Sequence, residues 1–136
     1  MTLTVTLTAH SKNKMMETFS QYEVPKEYAD PIFNYLVHGF RPGSFWNSVF
    51  ANDFMSAVGK SHPANTIGAL KKTVSWIMNH MLSGTTHGSY EIVEAWLKKT
   101  PEERRATLEN LGLIYPEKQE IVMILKDEPT YEPHLW

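Results

Sequence analysis

The 136-residue chain contains no cysteine, and its charges are nearly balanced. The absence of cysteine excludes disulfide bonds, thiolate metal ligands and thiol nucleophiles, and it fits a reducing compartment. Thirteen basic and fifteen acidic residues leave a formal net charge of -2. Because proteins that bind nucleic acid usually carry a basic surface, nucleic acid is not an expected partner.

Long apolar runs are also lacking. No run approaches the ~20 residues that a membrane-spanning helix requires. The first residues, Met-Thr-Leu-Thr-Val-Thr-Leu-Thr, alternate between polar and apolar and do not form the apolar stretch of a signal peptide. We therefore expect an intracellular protein with no membrane partner.

What the chain does contain is enough apolar material for one core. Hydrophobic residues make up 42% of it, with four tryptophans and six phenylalanines. This length and composition predict a single domain over residues 1–136.

The order of patterns predicts an α+β fold. Alternation over residues 2–8 and the apolar run 121–125 each predict a short strand. Because neither strand is stable alone, they are expected to form a small sheet with each other or with a second subunit. The polar, mixed residues 10–23 predict a loop. The tail, about residues 127–136, contains two prolines and is predicted to be extended, with its terminal Leu-Trp docked on the domain or on a partner.

Four to five helices are predicted in a mainly helical core of about residues 25–112. The first is expected from Pro25 to Gly39, and the second from Ser44 to Val58, just before Gly59. The third begins after a Ser61 cap with Pro63 in its first turn, and the fourth after a Ser89 cap. The fifth runs from the Thr100 capping box to Gly112. The third helix has an apolar stripe expected to face the core, formed by Ile67, Leu70, Val74, Ile77, Met78 and Met81.

The turn before the second predicted helix is a candidate anion site. The first N–H groups of a helix are unpaired and carry partial positive charge, Gly43 lets a phosphate approach the backbone, and Arg41 can clamp it. In the alternative interpretation Ser44 only caps the helix and Arg41 is a solvated turn residue. The glycine spacing of a Walker loop is missing.

Asn52 and Asp53 interrupt an apolar helix, which makes them a second candidate site. On helical spacing Asp53 shares a face with Trp46 and Val49, so it is expected to point inward. One interpretation makes Asp53 a ligand-binding or catalytic acid. The favoured one makes it a structural bridge to the N-terminus of another helix, such as the one predicted near Ser61, with Asn65 in the same polar network.

The six histidines do not form a metal-binding pattern. They lack the His-Glu-x-x-His arrangement and any i, i+4 pair on a helix. His87 lies in a Gly-flanked loop with Ser83, but without a nucleophile-elbow pattern. We therefore assign no catalytic residue, no metal and no cofactor.

The block from Tyr35 to about Leu97 resembles a family of small uncharacterised bacteriophage proteins. The shared pattern is a helix ending in Gly, an Arg-Pro-Gly-Ser-Phe turn, an apolar segment with Asn-Asp, an Asn early in the next helix, and a Trp-bearing helix after a Gly-containing loop. The matching residues are Tyr35, Gly39, Arg41, Pro42, Gly43, Ser44, Phe45, Val49, Asn52, Asp53, Ala57, Asn65, Gly88, Val93 and Trp96. The resemblance implies a phage origin and expression in the bacterial cytoplasm, and it carries no activity.

Resemblance and the lack of a catalytic constellation together favour a non-catalytic bacteriophage accessory protein that binds a host protein. Its expected role is host takeover or inhibition of host antiviral defence. The alternative is a small-ligand binder that sequesters a phosphorylated nucleotide at the Arg41–Ser44 turn, and the third hypothesis is an enzyme using Asp53. Free strand edges and the aromatic tail also predict a homo-oligomer, most simply a dimer.

Overall fold

The structure, a computed structural model, describes residues 2–61 and 66–124. In chain order its elements are β1 (Thr2–Thr6), α1 (Ala9–Gln21), α2 (Lys26–Phe33), α3 (Ser44–Phe50), α4 (Phe54–Lys60), α5 (Ile67–His80), α6 (Tyr90–Lys98), α7 (Pro101–Asn110) and β2 (Glu120–Ile124). One turn of π-helix, Asn34–His38, continues α2. The fold is α+β and mainly helical, as predicted, with more helices among the described residues than the sequence indicates.

The two terminal strands pair with each other, which confirms one of the two predicted arrangements. β1 and β2 are antiparallel, with Thr2 opposite Ile124 and Thr6 opposite Glu120. Thr4 is completely buried, and its hydroxyl donates a hydrogen bond of 3.0 Å to the carbonyl of Val37 in the π-helical turn. The sheet is thereby attached to the helical core.

The prediction of a loop over residues 10–23 is wrong, because most of this segment forms α1. Thr8 caps the helix, and its Oγ1 accepts a hydrogen bond from the Ser11 backbone N–H at 3.1 Å. Three residues spaced four apart are buried, namely Ser11, Met15 and Phe19. Because Ser11 is polar and most of the residues between these three are polar as well, the sequence shows no clear apolar period of a helix.

The prediction of a single helix from Ser44 to Val58 is also wrong. The chain breaks into α3 and α4 at Asn52, whose φ of 61° is left-handed. Apart from glycine, asparagine and aspartate adopt this conformation most readily. Asp53 is then the N-cap of α4, and Gly59 lies inside α4 instead of after it.

α5 begins later than predicted. Its N-cap is Thr66, whose side chain accepts a backbone hydrogen bond, whereas Ser61 follows the end of α4. Pro63 lies outside the described residues. Ser89 and Thr100 cap α6 and α7 as predicted, the latter with a complete capping box.

Three tryptophans and a tyrosine lie at the centre of the core. Trp46, Trp76, Trp96 and Tyr35 are completely buried. The Tyr35 hydroxyl donates to the Thr86 carbonyl at 2.7 Å, and the Trp96 Nε1 donates to the Tyr35 carbonyl at 3.0 Å. Burial raises the pKa of the Tyr35 hydroxyl, which keeps it a neutral donor. These bonds join the π-helical turn to α6 and to the turn that contains Thr86.

Two further predictions concern the chain's surroundings and its end. Among the described residues, none of the helices is long and apolar enough to cross a membrane. The predicted extended tail, with Leu135 and Trp136, lies outside the described residues.

Candidate functional site

The apolar stripe of α5 faces the core only in part. Ile77 and Met81 are buried, as predicted, and Leu70 is half-buried against the core. The other three residues are exposed to 85%, 41% and 73%, in the order Ile67, Val74 and Met78. The buried side of the helix is centred on Trp76, whose ring stacks on Phe19 of α1 at 4.3 Å. Because α1 packs against that side, half of the stripe is left on the surface.

The short helix α4 buries none of its residues. Its apolar side chains Phe54, Met55 and Val58 are exposed to 74%, 80% and 57%. A helix of seven residues is too short to be stable in water by itself, and protein helices are stabilised mainly by covering an apolar face. Within α4, Ala57 is half-buried against the core, and the exposed face of Phe54, Met55 and Val58 is a candidate docking surface.

α4 and α5 enclose an open groove of about 380 Å³. Its lining residues are Ser48, Val49, Asn52, Asp53, Phe54, Ala57, Val74, Ile77, Met78, Ser83, His87 and Gly88. Phe54 and Ala57 of α4, together with Val74, Ile77 and Met78 of α5, form its apolar walls. The walls are apolar, and the polar residues collect at the end where α4 begins and α5 has ended.

Asp53 lies at this polar end and joins two helices. Its Oδ2 accepts a hydrogen bond from the Tyr90 hydroxyl at 2.6 Å, and its Oδ1 accepts one from the Ser56 backbone N–H at 3.3 Å. The bond from Tyr90, and then that from Ser56, lowers the pKa of Asp53. The carboxylate is therefore charged at neutral pH. Asp53 caps a helix as the favoured interpretation has it, but the capped helix is α4 and not one beginning near Ser61.

The turn that follows α5 forms the end wall of the groove. The Gly84 N–H donates to the His87 carbonyl at 2.9 Å, and the Gly88 N–H donates to the Phe50 carbonyl at 2.8 Å. Burial lowers the pKa of the His87 imidazole, so it is neutral at neutral pH. Asn52 also lines this end, whereas Asn65 lies outside the described residues.

The Arg41–Ser44 turn is separate from the groove. The Arg41 guanidinium donates to both carboxylate oxygens of Glu94, Nη2 to Oε2 at 2.9 Å. This pair raises the pKa of Arg41 and lowers that of Glu94. Gly43 is the N-cap of α3 and no side chain caps that helix, so the prediction of Ser44 as the cap is wrong. An anion at this turn would have to compete with Glu94 for Arg41.

The histidines are dispersed. Within residues 2–61 and 66–124, no group of three or more His, Asp or Glu could hold a metal ion. His10, His38 and His80 each pack against an aromatic ring. His62 and His134 lie outside the described residues.

The sequence patterns single out Asn52 and Asp53, but not the apolar walls beside them. From the sequence, Val74 and Met78 are expected in a stripe that faces the core, because they lie on the apolar face of a predicted helix. An Asn-Asp pair inside an apolar run is itself a signal of a helix break with a new cap, and that signal could have separated α4 from α3.

No family model, curated protein or solved structure matches this chain. The groove is the feature of the molecule that bears on function. Its apolar walls, its exposed rim and its charged polar end suit the binding of another molecule.

Proposed function

We propose that this protein is a non-catalytic interaction protein that binds a second protein through the groove between α4 and α5. The observation that carries the proposal is that α4 buries no residue while exposing Phe54, Met55 and Val58. α5 adds the exposed side chains of Val74 and Met78 to the groove, and Ile67 is exposed at the start of the same helix. Contiguous apolar surface rimmed by polar residues is a common feature of protein interfaces. Met78, which lines the groove, has a flexible side chain that adapts readily to a partner's shape.

The partner that we propose is a host protein, and the molecule would then be a bacteriophage accessory protein in the cytoplasm of its bacterial host. Its role would be host takeover or inhibition of host antiviral defence. The support is that the block from Tyr35 to about Leu97 resembles a family of phage proteins. Several of the matching residues line the groove, namely Val49, Asn52, Asp53, Ala57 and Gly88. The resemblance and the candidate site thus involve the same surface.

Neither alternative hypothesis gains support from the contacts. A nucleotide at the Arg41–Ser44 turn would find Arg41 already bonded to Glu94. A general acid needs a raised pKa, whereas the hydrogen bond from Tyr90 lowers the pKa of Asp53. Both remain predictions from the sequence.

A homodimer is a further part of the proposal. A two-stranded sheet is only marginally stable in water, and its exposed side chains include Leu3, Ile121 and Met123. Pairing between sheets of two copies would cover these side chains and use the free strand edges.

The substitution Met78→Glu tests the groove. Met78 is 73% exposed, so glutamate should be compatible with folding, but it places a charge on an apolar wall that the partner must cover. We expect affinity capture from a bacterial lysate to yield a protein with the wild type and at least tenfold less of it with Met78→Glu. Mass spectrometry measures the captured amounts, and calorimetry with the purified captured protein measures its affinity.

Ala106→Glu is the matched control. It adds the same charge at an exposed position of α7, which does not line the groove. Circular dichroism establishes that each variant is folded. Equal capture and equal affinity for all three proteins would contradict the proposal.

A further inference from the structure

The walls of the groove indicate which backbone conformation its occupant has. Both walls are helices, whose interior backbone groups are bonded within the helix itself. An extended segment would bury unpaired N–H and C=O groups against these apolar walls, at a high free-energy cost. A helix satisfies its own backbone groups, so a helical occupant avoids that cost.

The dimensions agree with a helix of moderate length. The exposed apolar face of α5 runs from Ile67 to Met78. At about 1.5 Å per residue this face is roughly 16 Å long, which corresponds to about three turns of a helix laid along it.

The polar end of the groove carries a negative charge. Among the described residues that line the groove, Asp53 is the only acidic one, and Tyr90 and Ser56 hold its carboxylate in place. No lysine or arginine is among those lining residues. An occupant with a positive charge near Asp53 complements this arrangement.

We propose, on the basis of the proposed function, that the partner contributes an amphipathic helix that lays apolar side chains along the groove and places a basic side chain beside Asp53. Apolar residues at i, i+3 or i+4, and i+7 of that helix contact the walls. A Lys or Arg at its end covers apolar surface with its stem while its cationic head reaches the carboxylate. The apolar contacts supply most of the affinity, and the charge pair determines orientation and specificity.

Two synthetic helical peptides of about 16 residues test this proposal. Both carry leucines at i, i+4 and i+7 on a background of Ala and Gln. One has Lys a turn beyond each end of the leucine stripe, and the other has Glu there. We expect fluorescence anisotropy at low salt to show roughly three- to tenfold tighter binding of the Lys peptide to the wild type. Asp53→Asn should remove the difference, because asparagine still caps α4 but carries no charge. Tyr90→Phe, which keeps the charge, should retain most of it.

The outcomes separate this proposal from the proposed function. Equal affinities of the two peptides for the wild type, or a difference that persists in Asp53→Asn, overturn the role of Asp53. Failure of both peptides to bind overturns the helical occupant, while loss of lysate capture in Met78→Glu would still support the proposed function. If Met78→Glu changes neither peptide binding nor lysate capture, both the helical occupant and the proposed function are wrong. If Met78→Glu instead converts a wild-type dimer into a monomer and the peptides compete with self-association, a second copy occupies the groove and the proposal of a separate partner is wrong.

Discussion

Gly39 is a residue at which backbone conformation and packing depend on each other. It ends the π-helical turn with a left-handed φ of 68°, and a Cβ at this position would lie 2.7 Å from Cζ of Arg104. Arg104 is almost completely buried, and its guanidinium donates to the backbone carbonyls of Lys99 and Leu3. Gly39 thus leaves room for the side chain that joins α7 to β1 and to the end of α6.

We predict that Gly39→Ala is more destabilising than Gly112→Ala. Both glycines have left-handed φ values, but nothing lies within 4 Å of a Cβ at Gly112. Gly112→Ala should therefore lower the free energy of unfolding by about 1–2 kcal/mol, the conformational cost alone. Gly39→Ala should lower it by about 2–4 kcal/mol, because Arg104 must also move. Urea denaturation measures both values. Equal losses would show that the contact with Arg104 contributes nothing.

The break between α3 and α4 creates the groove, and it depends on two neighbouring residues. Asn52 adopts a left-handed conformation, and Asp53 caps the next helix. With a continuous helix in their place, Phe54 and Ala57 would extend α3 and would not form a second wall facing α5. A local preference in the chain therefore decides the shape of a surface.

The end of α5 and the turn after it should make stability depend on pH. Burial lowers the pKa of His80, which packs against Trp76, and also that of His87. Each imidazole then binds protons more tightly in the unfolded chain, where its pKa is about 6.5, so stability should decrease as pH falls through that value. The carboxylates with lowered pKa values, such as Asp53 and Glu94, keep their charge in this pH range. The stability that they contribute is lost only at lower pH.

We expect a lower melting temperature at a pH of about 5.5 than at about 7.5. His80→Gln should reduce this difference, because it removes one of the two titrating groups. Differential scanning calorimetry at the two pH values measures the effect. The same melting temperature at both pH values would contradict the inference that the half-buried imidazoles of His80 and His87 are neutral in the folded protein.

For the molecule as a whole, the two ends of the chain are joined by the sheet and by a polar cluster next to it. The Thr8 backbone N–H donates to Oε1 of Gln119 at 2.7 Å, and the Ser11 hydroxyl donates to Oε1 of Glu117 at 2.9 Å. These bonds attach the segment before β2 to the start of α1. The remaining surface of the sheet exposes Leu3, Ile121 and Met123.

The proposed homodimer predicts a mass of two chains in light scattering at tens of micromolar protein. Met123→Glu should shift the mass towards one chain, because it places a charge on the sheet surface that the second copy covers. Met78→Glu changes the groove and not the sheet, so it should leave the dimer intact. A wild-type mass of one chain would contradict self-association.

The sequence by itself determined the features that depend on a few neighbouring residues. Alternation at the N-terminus and the apolar run before Leu125 predict the two strands, and Ser89 and Thr100 predict the starts of α6 and α7. At the candidate site, Asn52 and Asp53 stand out because polar residues interrupt an apolar run. Hydrogen bonds within one turn of the chain decide the helix caps, and the pattern of apolar residues marks the strands, so both can be read without knowing the fold.

Only the tertiary structure decided which apolar side chains are covered. α1 is stabilised by burying Met15 and Phe19, and its position against Trp76 leaves Val74 and Met78 on the surface. An apolar face has the same sequence pattern whether it meets the core or a partner, because burial depends on which elements pack against it and not on the spacing of its residues.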